Sequence, residues 1–308
     1  MKKNKNLWTE EFRPTSIKEY VFVDKAQEEI VRGWVERGYI PNLLLSGHPG
    51  TGKTTLAKVL FHELGAQTGD VIEINASMER GVDTIREKIS RFASTMPIGD
   101  YKYVLLDEAD FLTIFAQMPL RNLMEQYHEF TRFILTCNYP EKIDPALHSR
   151  LENFHITQLN EDQFALRIID ILTEKEIEFE PDVVINYVNA SYPDLRDCIK
   201  MIQSNSQTGV LKDPSEALNN EKDYVIMAVA LFKQKKYEEA RKLLTNKART
   251  NDYPEIYRML YKNPDWWGDD EDTQKKAILK IAEGLRWHSS VGDPEVNLSA
   301  TLIELEML

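Results

Sequence analysis

The sequence predicts an α/β fold built on a parallel sheet around a phosphate-binding loop, followed by helical domains. Three observations predict it. Short apolar runs alternate with amphipathic helical patterns through the first half of the chain. One run leads into Gly47-His48-Pro49-Gly50-Thr51-Gly52-Lys53-Thr54, which fits the phosphate-loop pattern G-x-x-x-x-G-K-[ST]. Beyond Leu159 the strand signal fades and helical patterns take over.

Asn42–Leu45, Val71–Ile74, Tyr103–Leu106 and Arg132–Thr136 read as buried strands. Between them, Leu56, Val59, Leu60 and Leu64 form one apolar stripe at helical spacing, and Val82, Ile85, Ile89 and Phe92 form another. Strands alternating with helices imply βαβ units and a parallel sheet. After Phe154–Leu159, Asn160 is placed to cap a helix running to about Glu174, Pro181 opens a second, and Pro193–Asp194 a third to about Ser206. Ser206–Pro214 is polar and turn-rich and is expected to be a linker. From Ser215 the chain reads as helical, and the acidic run Asp265–Asp272 is expected to be a solvated loop. The expected domains are therefore 1–158, 159–210 and 211–308.

Composition narrows the possibilities. A chain of 308 residues is long enough for two or three domains. The formal net charge of -12 argues against nucleic acid coating the whole surface, while screening leaves room for a local basic surface. No apolar run reaches the roughly 18 residues of a membrane span, and the basic start lacks the apolar segment of a secretory signal. Two cysteines, Cys137 and Cys198, cannot build a disulfide framework or a four-cysteine zinc module, so a cytoplasmic setting is expected.

The chemistry lies in the loop and the strand ends. The glycines let backbone N–H groups turn inward around phosphates, and the following helix presents its positive end. Lys53 supplies a charge to the β- and γ-phosphates, and the Thr54 hydroxyl coordinates Mg²⁺, so ATP and Mg²⁺ are the expected cofactors. Tyr103–Leu106 ends in Asp107-Glu108-Ala109-Asp110. There Asp107 emerges at the edge where open α/β sheets bind ligands and can hold the metal, and Glu108 can polarise the attacking water. Asn138, at the end of the Arg132–Thr136 strand, can reach between Glu108 and the γ-phosphate or serve as a turn former before Tyr139-Pro140.

Taken in order, these motifs resemble an AAA+ ATPase, and within that superfamily a clamp-loader subunit, over roughly Leu7 to Gln207. Trp8-Thr9-Glu10-Glu11-Phe12-Arg13-Pro14 resembles the box such subunits place around adenine. Asn75-Ala-Ser-Met-Glu-Arg80-Gly81-Val-Asp-Thr-Ile-Arg86, Asp107-Glu-Ala-Asp110 and Ala116-Gln117 through Arg121 resemble their family segments. Thr136-Cys137-Asn138 resembles sensor 1, Ser149-Arg150 the arginine-finger motif, and Asp194-Leu195-Arg196 the start of sensor 2. Leu151 stands where the finger motif usually has Cys, and Ser191-Tyr192-Pro193-Asp194 replaces a Ser-Gly-Asp form. That variant and the short chain most resemble the clamp-loader large subunit of T4-like phages. The small subunits of replication factor C are otherwise the nearest relatives.

The resemblance implies an α/β AAA+ domain with a parallel sheet, then a small helical lid and an all-α collar. It implies an ATPase that opens a sliding clamp and loads it on primer–template DNA, in a five-membered ring with copies of itself and a distinct small subunit, away from any membrane. The host-cell cytoplasm is the setting if the chain comes from a phage. Thr9, Glu10, Glu11, Phe12, Arg13, Val21 and Thr55 would join Gly47–Thr54 in holding nucleotide. Arg196 would contact the phosphates of its own subunit, and Arg150 those of a neighbour. Arg80, Gly81, Arg86 and Arg91 would track DNA, while Arg80, Gln117 and Arg121 would couple DNA to hydrolysis. Competing readings are a ring subunit with purely structural ATP and another AAA+ DNA remodeller such as a branch-migration helicase.

Overall fold

The computed structural model describes residues 7–78, 82–212, 223–249, 252–268, 270–288 and 290–308. Arg80 and Gly81 therefore lie outside the described residues. Contacts divide the chain into two compact units, Met1–Arg167 with Pro193–Ile199, and Ile168–Tyr192 with Lys200–Leu308.

The first unit opens with helices α1 (Trp8–Glu11) and α2 (Lys25–Glu36). It continues as β1 (Leu43–Gly47), α3 (Lys53–Glu63), β2 (Val71–Asn75), α4 (Val82–Ala93), β3 (Lys102–Asp107) and α5 (Ile114–Gln126). It closes with β4 (Thr131–Cys137), α6 (Pro145–His148), β5 (Glu152–Ile156) and the start of α7 (Glu161–Glu174). The five strands form one sheet in the order β2-β3-β4-β1-β5, and every neighbouring pair is parallel. β1 and β4 are buried along almost their whole length, as strands covered on both faces must be, and that is why they read as unbroken apolar runs. The edge strand β5 instead buries only Phe154 and Ile156 and leaves its other residues exposed. Ile85 and Ile89 of α4 pack with Val104, Leu106, Leu120 and Phe133 in one core cluster, and Phe92 packs against it, so these residues of the predicted stripe face the sheet. Asn160 caps α7 as expected, its side chain accepting from the Gln163 N–H at 2.9 Å.

The second unit is helical. It includes α8 (Pro181–Ser191), most of α9 (Leu195–Asn205), α10 (Asp223–Lys233), α11 (Tyr237–Lys247), α12 (Tyr253–Lys262), α13 (Glu271–His288) and α14 (Pro294–Glu306). Two expectations need correction here. The stretch read as a linker is tied down through Lys212, because Glu178 exchanges backbone hydrogen bonds with Gly209 and Leu211, and the Tyr187 hydroxyl donates to the Lys212 carbonyl. Polar turn residues gave no sign of these long-range bonds. The acidic run is also no simple loop. Trp266 and Trp267 are buried in the core of this unit, with Trp266 stacked on Phe232 at 5.1 Å. Glu271 and Asp272 form the first turn of α13, where acidic groups favour the positive helix end.

At the last β1–β5 pairing, Gly47 lies opposite Ile156 with φ 149°, and a Cβ there would come 2.0 Å from the Ile156 carbonyl oxygen. That neighbour is backbone and cannot rotate away. Gly47→Ala should therefore destabilise the first unit by at least about 2 kcal/mol, read as a lower thermal midpoint even without nucleotide. An unchanged midpoint would show that the strand end yields freely.

Candidate functional site

β1 runs straight into the phosphate loop, and the loop into α3. Gly50 and Gly52 have φ of 75° and 88°, left-handed values that side chains resist, and Gly52 is the residue from which α3 starts. A Cβ on Gly52 would also press on the Tyr20 ring at 3.1 Å, and one on Gly50 would fall 1.9 Å from the Asp194 carboxylate. Asp194 itself caps α9 through the Asp197 N–H at 2.9 Å, so the sensor-2 segment starts in contact with the loop. Lys53 is 8% exposed, and its Nζ donates to the carbonyls of Gly47 at 2.9 Å and His48 at 2.6 Å. Burial pulls its pKa down to about 8, while the charges of Asp107 and Asp110 push it back up.

Beside the loop, Asp107 ends β3. Its Oδ1 accepts from the Thr54 hydroxyl at 2.7 Å and from the Thr136 hydroxyl at 2.6 Å. The Thr136 oxygen in turn accepts from the Glu108 backbone N–H at 3.0 Å. Glu108 has φ 58° and ψ 43°, a left-handed conformation that costs about 1–3 kcal/mol in a non-glycine residue and persists only where its surroundings hold it. Glu108, Asn138 and Arg196 line one pocket with Lys53, Thr54 and Asp107. Cys137 lines it too, but burial foremost, with the Asp110 charge, pushes its thiol up to about 12, so it stays protonated. The Thr54 hydroxyl and Asp107 carboxylate are hard oxygen donors placed side by side. That pair suits Mg²⁺, which keeps several waters and takes phosphate oxygens.

A second, more apolar pocket adjoins the loop. Thr9, Phe12, Arg13, Val21, Gly50, Thr51, Gly52 and Thr55, all residues that the resemblance assigns to nucleotide, line it. Glu10 and Glu11 do not, and Glu10 instead pairs with Arg13 at 2.5 Å. Pro14, the last residue of the N-terminal box, and Arg196 line it too, while Tyr20, Leu159, Arg167, Leu195 and Ile199 complete the lining and were not assigned to nucleotide. Arg167 is the informative omission. It donates to the Phe12 carbonyl at 3.1 Å, holding the N-terminal box to α7. Its signal was a cation beside the buried stripe of Phe164, Ile168 and Ile171.

The remaining expected residues lie elsewhere. Arg150 follows α6 and lines neither pocket. Its guanidinium pairs with Glu125, with Nε at 2.8 Å from the carboxylate, and also donates to the Ala146 carbonyl at 2.8 Å. Leu151, in place of the usual Cys, is buried in the sheet core. Gln117 is 1% exposed. Its amide donates to the carbonyls of Leu112 at 3.1 Å and Lys142 at 3.0 Å and accepts from the Asp144 N–H at 2.7 Å. Gln117 thus ties the start of α5 to the segment that enters α6. Arg86, Arg91 and Arg121 are exposed.

The Thr136 hydroxyl bonds both the Asp107 carboxylate and the Glu108 backbone. Thr136→Val keeps the shape and removes both bonds. ATP turnover should fall about tenfold, the equivalent of one lost hydrogen bond of typical strength, with folding retained. Turnover within twofold of the parent would place the alignment of Glu108 elsewhere.

Residues 43–159 match the model of the ATPase family associated with various cellular activities (AAA). Replication factor C small subunits are similar over most of the chain. That of Methanococcus vannielii is 35% identical across 85% of this chain and 80% of its own, and that of Sulfurisphaera tokodaii 33% across 97% and 94%. A solved structure of a RuvB variant from Thermotoga maritima superposes with a TM-score of 0.55 at 16% identity, covering 96% of this chain and 90% of that one, a likeness of fold. With the phosphate loop, acidic strand end and sensor residues converging on one pocket, the chain belongs to the replication factor C small-subunit family of AAA+ clamp-loader ATPases.

Proposed function

We propose that this ATPase works in a five-membered ring with copies of itself and a distinct small subunit. The ring opens a sliding clamp around primer–template DNA and releases it after hydrolysis. The observation that carries this reading is a division of labour. Lys53, Thr54, Asp107, Glu108 and Asn138 gather at one pocket, while Arg150 lies outside it, held by Glu125. ATP would place its base against Thr9, Phe12, Val21 and Arg167 and its phosphates in the loop. Thr54 and Asp107 would hold Mg²⁺, which when bound neutralises charge developing on the phosphates. Lys53 would leave its loop carbonyls for the phosphates, Glu108 would take the proton of the attacking water, and Asn138 would orient that water. Arg196 would report the nucleotide to the lid. Arg150 would leave Glu125 to reach a neighbouring subunit's γ-phosphate, where charge develops in the transition state.

The same reading assigns 1–158 to the ATPase domain, 159–210 to a lid and 211–308 to a collar, in the cytoplasm. Arg86 and Arg91 would contact DNA phosphates along with Arg80 and Gly81. Gln117, being fully hydrogen-bonded inside the fold, would act by transmitting movement from Arg80 and Arg121 rather than by exchanging partners in solvent. Phe111, Ile114, Phe115 and Met118 form an exposed apolar patch just past Glu108. Such a patch suits a protein partner, and we assign it to the clamp.

Two experiments test this reading. The ATPase rate of the assembled ring should rise when clamp and primer–template DNA are added together. Glu108→Gln should lower that stimulated rate at least about 100-fold, the share expected of a positioned proton acceptor, with ATP binding intact. A near-normal rate would remove Glu108 from the chemistry. In the second experiment, Arg150→Ala should leave the ATP affinity of an isolated subunit unchanged and abolish most turnover in the ring. Equimolar mixing with Lys53→Ala should restore part of it, since each variant supplies what its neighbour lacks. A mixed ring that assembles without any recovery would rule out action in trans.

A further inference from the structure

The turn after β3 carries a carboxylate that lines neither pocket. Asp110 is 7% exposed. Its Oδ2 accepts from the Asn138 backbone N–H at 3.3 Å, and its Oδ1 is buried with no hydrogen-bond partner among the described residues. A buried carboxylate with one unmet oxygen weakens a fold, so its presence points to a use other than stability.

Its position suggests that use. Asp110 sits in the short turn Ala109–Phe111, directly after the left-handed Glu108. Thr136 already joins the exits of β3 and β4 by accepting the Glu108 N–H, and Asp110 joins them again at Asn138, the residue just past β4. The two ties bracket Glu108 and Asn138, and Asp110 itself does not line their pocket. We propose that Asp110 is a positioning residue for hydrolysis, whose side-chain acceptor holds the Asn138 backbone and so aims the Asn138 amide beside Glu108. This rests on the reading of Glu108 and Asn138 given above.

Steady-state ATP hydrolysis by the assembled loader, with clamp and primer–template DNA, tests this. Asp110→Ala should lower kcat about 30-fold, as a small misplacement of a reacting group does, and leave the KM for ATP within about threefold. Asp110→Leu, which fills the space without an acceptor, carries the same expectation should the alanine variant fail to fold. Asp110→Asn retains an acceptor oxygen and should keep kcat within about threefold of the parent. In an Asn138→Ala background, adding Asp110→Ala should cost no more than about twofold, because no amide is left to aim. A parallel loss of kcat and ATP affinity would reduce Asp110 to a structural group. An asparagine variant as impaired as the alanine one, or a full multiplicative loss in the double variant, would equally overturn the proposal. Glu108→Gln and Asn138→Ala alone separate the two levels. If both retain normal turnover, the hydrolysis reading fails; if both collapse while Asp110→Ala and Asp110→Leu do not, only the role of Asp110 fails.

Discussion

Asp107 accepts hydrogen bonds from Thr54 and Thr136, and through that one carboxylate the phosphate-loop helix, β3 and β4 meet at a single point. The junction exists because the sheet is parallel. Every strand delivers its carboxyl end to the same edge, and β4 lies between β3 and β1. The loop after β1, the acid at the end of β3 and the amide after β4 are therefore neighbours without any of them reaching far. The same junction extends through Thr136 to the Glu108 backbone, so the residue that would hold metal and the residue that would activate water are set by one hydroxyl.

Such a site is stabilised by its surroundings rather than by itself. Glu108 sits in a backbone conformation that its side chain disfavours, and Lys53 is desolvated enough to have its pKa depressed. Both are unfavourable in isolation. They are held by a sheet whose central strands are buried on both faces and by glycines packed too tightly for any side chain. The bound phosphates would return to Lys53 the charge stabilisation that burial removes, so the same desolvation that weakens the empty loop strengthens its grip on an anion. Arg150 is the reverse case. Its partner Glu125 is more than half exposed, so their pairing is weak and readily exchanged.

Much of this was legible in the chain. The phosphate loop is a local pattern, since glycines at fixed spacing before Lys-Thr specify a backbone shape over eight residues. The strands ending in Asp107 and Asn138 were legible because burial on both faces demands unbroken apolar runs. Asn160, Pro181 and Asp194 marked helix starts through local hydrogen bonding and fixed φ. The adenine box was legible only by resemblance, and its Glu10 and Glu11 do not line the pocket beside the loop.

What the sequence alone determined was thus whatever depends on neighbours within a turn or a strand: the loop, the strand and helix pattern, and the residue types at the strand ends. The tertiary structure decided everything that requires two distant segments to touch. It set Arg167 on the Phe12 carbonyl, Asp194 against Gly50, Gln117 between α5 and the entry to α6, and Trp266 within a core instead of a loop. A polar side chain carries no mark of the partner it will meet. Hydrogen bonds across a hundred residues arise only once the apolar runs have packed and fixed which surfaces face each other.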